Sequence, residues 1–283
     1  MASAPQLAPG VTLVTAPGQG LAVRTADGAF LRVDTADTDP AALTAALTGH
    51  PYGDSGTPAP ELTDLIAAFE QAGYASPAPA DHPGRLDGRT VHLLGDAALT
   101  EPLAALIREE GGTVRPTHPG ELTGIPGTGA AAPAVVWCLD RPVPPGLWDD
   151  ADRLPAHGTA WLRCHREGAQ LWLEPLADRP GDVTSAHIRL RRLAATPAHR
   201  ELAAYWAGHR SPEAAPPTTG APAALAAALL AADLLAWAAA DPGRGPLPVR
   251  RRLRRLDLRD LTVTEHPVLP VPDVASLPKQ PTR

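Results

Sequence analysis

The segment TVHLLGDAALT (90–100) sets a glycine between an apolar run and a helical pattern, where a nucleotide-binding loop would cradle a phosphate. That chemistry needs small residues for a tight turn and for close backbone approach to pyrophosphate. Here Gly95 stands alone: Ala97 and Ala98 each carry a Cβ, and Leu99 adds bulk. The acidic residue that would hold a ribose is missing from TVRPTHPG (113–120). The expectation is a βαβ core without a working dinucleotide or ATP site.

Other chemistries fare no better. The chain has no CxxC pair, no HExxH and no calcium loop, and its ten histidines are scattered. His187 and His199 are too far apart on a broken helix to share a metal. No GxSxG elbow marks a serine nucleophile. Cys138 and Cys164 lie in apolar, strand-like surroundings that suit inert buried thiols and a reducing cytoplasm. No catalytic residue, metal or cofactor is expected. The basic run VRRRLRRLDLR (249–259) could meet nucleic acid or an acidic partner surface. The preferred reading is a strand whose arginines lie over its neighbours.

The elements that would position these residues fall into two regions, consistent with 283 residues. VTLVT (11–15), LAVRT (21–25) and AFLRV (29–33) read as short strands turned at PGQG and ADG. Asp39 and Pro40 open a helix over 39–49. A second helix, ELTDLIAAFEQAG (61–73), carries Leu62, Leu65, Ile66 and Phe69 at i, i+3, i+4, i+7 and stops at Gly73. Strands then helices in so short a span suggest a winged-helix-like module. Its second helix holds Glu61, Asp64 and Glu70 and no Lys or Arg, and the whole chain carries −6. Phosphate neutralisation is therefore absent, and nucleic acid is not an expected partner. The module suits a peptide instead, which could add as a strand to AFLRV.

A Pro/Gly-dense linker (75–89) leads to an alternating region. Strands are expected at 90–94, 113–117 and 134–140, a hairpin over 159–177 turned at REG, and a late strand at 252–263. Helices are expected at 99–111, with Thr100 as cap, over 185–209 with a break at Pro197, and at 221–240. The last, APAALAAALLAADLLAWAAA, is long enough to span a bilayer, but Asp233 sits in its middle, so a core helix is the reading. MASAPQLAPG lacks the pattern of a signal peptide, so neither a membrane nor secretion is expected.

In this order the parts resemble the leader peptide-binding proteins of azole-forming peptide pathways, the ocin-ThiF-like partners of YcaO cyclodehydratases. The motifs are VTLVT, LAVRT, AFLRV, ALTAALTG and ELTDLIAAFEQAG, then HGTAWLRCHREGAQLWLEPLADRPGDVTSAHIRLRRLAATP, then HPVLPVP. The resemblance implies an α/β chain. Residues 8–76 would be a RiPP recognition element, 77–88 a linker, 89–275 a degenerate Rossmann-like ThiF-type domain, and 276–283 a tail. It implies a non-catalytic scaffold that captures the leader of a ribosomal precursor and presents the core to a YcaO enzyme. The ThiF-like part could also pair two copies as a homodimer. Rival readings are a ThiF-class adenylating enzyme and a recognition subunit for another modifying enzyme, such as a dehydratase. The implied peptide site is Phe30, Leu31, Arg32, Val33 and Asp34 on the strand, with Leu62, Leu65, Ile66 and Phe69 on the helix. Leu65 and Phe69 serve equally well as core. Many relatives hold structural zinc on cysteine pairs; here Thr184 and His187 stand at one pair and HPVLPVPDVASL lacks the other. The stretch HPYGDSGTPAP (50–60) is short and proline-rich, so one helix of the recognition element is expected to be missing.

Overall fold

The computed structural model describes residues 5–35, 38–49, 59–77, 84–125, 127, 131–211, 216–240 and 247–272. The chain divides into two units, Met1–His82 and Pro83–Arg283. The 50–58 stretch lies outside the described residues.

In the first unit β1 (Pro5–Leu7) pairs antiparallel with β5 (Ala75–Pro77), and β2 (Thr12–Ala16), β3 (Gly20–Arg24) and β4 (Phe30–Val33) form a meander in that order. Asp39 accepts a hydrogen bond from the Ala41 N–H and starts α1 (Pro40–Thr48); α2 spans Pro60–Gln71. Leu21, Val23, Leu43, Leu47, Phe69 and Ala75 make the core. Each fully buried leucine there contributes about 1.5–3 kcal/mol of burial. Sequence reading treated Ala75 as linker; the short β1–β5 pair draws it into this core.

The second unit is an α/β layered structure around a seven-stranded mixed sheet, ordered β12-β11-β10-β9-β8-β6-β7. Its strands are β6 (Thr90–Gly95), β7 (Thr113–Pro116), β8 (Ala134–Leu139), β9 (Ala160–Glu167), β10 (Gln170–Leu173), β11 (Arg252–Asp257) and β12 (Val263–Pro267). The four strands β7, β6, β8 and β9 run parallel; β10, β11 and β12 continue antiparallel. The β9–β10 hairpin turns at Gly168, φ 59°, the left-handed conformation that a two-residue turn asks of its first central residue. The stretch 252–263, expected to be one strand, is instead β11 plus the turn into β12.

On one face lie α3 (Ala97–Glu109) and α6 (Ala221–Ala238), packed on each other over a core that includes Leu103, Ile107, Leu230 and Leu234. Leu86, assigned to the linker from sequence, is buried in the same core. The other face carries the Trp137, Trp148 and Trp161 cluster together with α4 (Ser185–Ala194) and α5 (His199–Trp206). Helix α6 is the one described helix apolar and long enough to cross a bilayer; its Ala226, Leu230 and Leu234 are fully buried against the sheet. Asp233 in that helix is buried as well and bonds Arg252 and Arg254 of β11, both at 2.5 Å. The apolar helix is thus tied to the basic strand by a buried ion cluster, which Glu265 completes at 2.9 Å from Arg254.

Candidate functional site

Among the described residues the first unit presents an open sheet edge, on β4. Thr25 N–H donates to the Ala29 carbonyl at the β3–β4 turn, which fixes the phase of the ladder. Antiparallel pairs alternate between hydrogen-bonded and non-bonded. Counting from that bond, Val23↔Leu31 and Leu21↔Val33 exchange main-chain bonds, while Arg24↔Phe30 and Ala22↔Arg32 do not. The N–H and C=O groups of Phe30 and Arg32 therefore point away from β3, along the free edge. The side chains divide the other way: Leu31 and Val33 share the face of buried Leu21 and Val23, and Phe30 and Arg32 take the opposite face.

Phe30 is 63% and Leu31 43% exposed, although both are large and apolar. Exposed edge strands ordinarily carry charge or proline to discourage pairing; β4 offers Arg32 alone. Its guanidinium is exposed and donates to Gln19 Oε1 at 2.9 Å. Asp34 follows, also exposed. On α2, Leu62, Leu65 and Ile66 are half-buried at the margin of the core, while Phe69 is 5% exposed and stacks edge-on against Tyr74 at 6.2 Å. Of the two roles open to Phe69, the structure seats it in the core. The four half-buried positions, Val33 among them, border that core.

The second candidate is a crevice of about 510 Å³ at the carboxyl ends of β6, β7 and β8, the switch point where an α/β sheet ordinarily takes a nucleotide. Its turn is built differently. A Cβ on Gly95 would fall 1.8 Å from the Cys138 carbonyl oxygen, so this glycine serves the approach of β8 and not of a phosphate. The helix starts at Ala97 with Asp96 as N-cap, earlier than expected; Thr100 lies inside the first turn and bonds the Asp96 carbonyl. The Asp96 carboxylate accepts from the Asp140 N–H at 2.7 Å and pairs with Arg141 at 2.9 Å. The Asp96 carboxylate makes no bond to the helix's own N–H groups, but it and Glu101 both line the crevice and place negative charge where a phosphate would have to sit. These residues do not fit a polyphosphate.

A zinc site fits no better. Thr184 and His187 form a reciprocal helix cap: Thr184 Oγ1 accepts from the His187 N–H, and His187 Nδ1 accepts from the Thr184 N–H. Among the described residues no group of three or more potential ligands clusters. Helix α4 is held to the last described segment by Arg191 of its last turn, which donates to the Leu269 and Pro270 carbonyls, and by the cluster of Val183, Ile188, Leu253 and Val268.

Sequence reading missed a buried polar network under α4. Arg163, fully buried, donates to Glu174 at 2.7 Å and to the Val183 carbonyl. Glu167 accepts from Arg192 and from the Trp206 indole at 2.7 Å. Burial opposes ionisation of Glu167, but bonds to His165 and Arg192 prevail and hold its carboxyl far below the usual range. The cavity beside the network is about 10 Å³, room for one water. It braces the fold and offers no space for a substrate. Its signal in the sequence was weak, since Arg, His and Glu alternate along β9 as they would on a solvated strand.

No family model matches this chain, and no curated protein matches it in sequence. Solved structures do match in fold. A heterocyclase in complex with substrate and cofactor aligns with a TM-score of 0.68 at 14% identity, over 94% of this chain and 38% of that one. The heterocyclase TruD gives 0.66 at 16% identity, over 95% and 42%. Escherichia coli MccB with succinimide gives 0.56 at 12% identity, over 95% and 97%. The chain thus spans about two fifths of the length of the two heterocyclases it matches. The class defined is an α/β protein whose fold is found in heterocyclases and in MccB, with an open strand edge in its first unit.

Proposed function

We propose that this chain is the leader-binding scaffold of a split cyclodehydratase. It captures the leader of a ribosomal precursor peptide and presents the core to a separate YcaO enzyme, which forms azolines from Cys, Ser or Thr. The observation that carries this reading is the β4 edge. Its outward main-chain groups belong to Phe30 and Arg32, and Phe30 and Leu31 expose apolar surface on opposite faces. An extended leader would pair with that edge by main-chain bonds, and side chains beside it would select the sequence. The fold likeness to heterocyclases supports the pathway. The chain is, on this reading, not itself an enzyme, and the crevice at Asp96 is a retained structural turn.

The test uses the full chain and fluorescently labelled leaders of precursor peptides encoded near its gene. Phe30→Ala and Phe30→Pro lose the same aromatic side chain but differ in one outward N–H. Phe30→Pro should bind at least several-fold more weakly than Phe30→Ala, with an unchanged melting temperature, since an edge proline facing outward costs no ladder bond. Equal affinity of the two variants, or no leader affinity in the parent, would sink the assignment.

A further inference from the structure

A second exposed apolar surface lies in the other unit. Among the described residues four large hydrophobic side chains are exposed: Phe30 and Leu31 on β4, and Leu190 and Leu269 at the far end of the seven-stranded sheet. Leu190 borders an open groove of about 1380 Å³, which runs over β10, β11 and β12 between α4 and the segment after β12. Its floor is the sheet face opposite α6: Trp172, Leu253, Arg255 and His266. The volume exceeds the roughly 300–1,000 Å³ of small-molecule sites, and the shape is a trough along the strands.

The groove's chemistry is one-sided. Among the described residues no Asp or Glu lines it, yet four basic side chains do, in a chain of net charge −6. Arg191 and Arg192 are engaged, the first by the Leu269 and Pro270 carbonyls and the second by Glu167. Arg255 is not: half-buried on β11, its guanidinium meets no acceptor among the described residues, whereas its neighbours Arg252 and Arg254 are both paired. The Trp172 indole N–H is buried and also lacks a hydrogen-bond partner. The Trp172 N–H has no solvent contact, whereas the Arg255 guanidinium is partly exposed, so Arg255 is the donor open to an incoming carboxylate. Apolar walls and one uncommitted guanidinium together define the complement, an apolar segment bearing a carboxylate.

We propose that this groove docks an acidic, apolar segment of the partner enzyme. The proposal rests on the scaffold reading above, which requires that a separate catalytic chain be held, and it assigns that task to the unit that does not hold the leader edge. The carboxylate would sit over Arg255, and the apolar residues against Trp172, Leu190 and Leu253.

Calorimetry of the full chain with the separately expressed cyclodehydratase tests it. Arg255→Glu and Leu190→Glu should each weaken the complex at least tenfold. Leader affinity and melting temperature should stay as in the parent, because both side chains are outside the cores. Raising the salt should weaken the parent complex and leave the already weakened Arg255→Glu complex little changed. Parent-strength complexes in both variants would overturn the groove and leave the scaffold intact. Failure of the parent to form any complex would overturn the scaffold and the groove together. A dimer of the chain alone that Arg255→Glu dissolves would assign the groove to a second copy. Tighter partner binding on deletion of residues 273–283 would assign it to the chain's own end. Either result overturns the proposal.

Discussion

Arg32 is the only charged side chain within β4, and it sits beside the main-chain groups that face the free edge. A guanidinium can hold a carboxylate through two parallel bonds, so an acidic leader residue is its natural complement. Arg32→Glu should weaken leader binding by about 1.5–3 kcal/mol, the scale of hydrogen bonds to charged groups, as read by fluorescence anisotropy. The melting point should hold, since the side chain is exposed and its bond to Gln19 is peripheral. Leu31 differs. Its N–H faces β3, so a proline there would damage the sheet itself and report nothing about the leader. Sequence alternation identified β4 and its two faces, but not which N–H groups point outward; that phase is set by the turn bond from Thr25 to Ala29. Asp233 teaches a similar lesson. It was visible as a misfit in an apolar helix, yet its partners Arg252 and Arg254 lie on a strand that the sequence does not link to it. Asp233→Ala should destabilise the chain by about 3–5 kcal/mol in urea unfolding, because it leaves buried guanidinium groups short of a counter-charge.

At the scale of elements, the junction of β6 with α3 decides whether the second unit can hold a nucleotide. The sequence made the poverty of glycine legible. It did not reveal that α3 starts just after Asp96 with that carboxylate turned to Asp140 and Arg141, because an aspartate after a glycine also suits a loop. The carboxylate, fixed by the Asp140 N–H and Arg141, lines the crevice and sets negative charge beside the helix end that an incoming phosphate would use. Calorimetry with Mg-ATP should therefore show no binding in the micromolar range; such binding would revive the adenylating alternative. Helix α2 was legible from the i, i+3, i+4, i+7 spacing of its apolar residues, α1 from its Asp39–Pro40 start, and α6 from its long apolar run. The β1–β5 pair and the β11–β12 turn were not legible, since strands of three residues and a turn without Asn-Gly or Asp-Gly leave almost no local signal.

At the scale of the whole molecule, the two proposed surfaces would divide the labour. One edge would hold the leader and one groove the partner, so the core peptide reaches the catalytic chain at an effective concentration set by geometry and not by its bulk concentration. Such tethering adds no contact to the transition state. It should therefore act on substrate capture and leave the chemical step alone. The chain alone should leave a precursor unchanged by mass spectrometry, with no loss of water. Added to the cyclodehydratase, it should lower the apparent KM for the precursor steeply while kcat at saturating precursor stays nearly constant. A leaderless core peptide should gain nothing from its presence. If kcat rose with the chain on leaderless substrate as well, the chain would be activating the enzyme through its own conformation. If water were lost without the cyclodehydratase, the chain would carry catalysis itself, and the scaffold reading would fall.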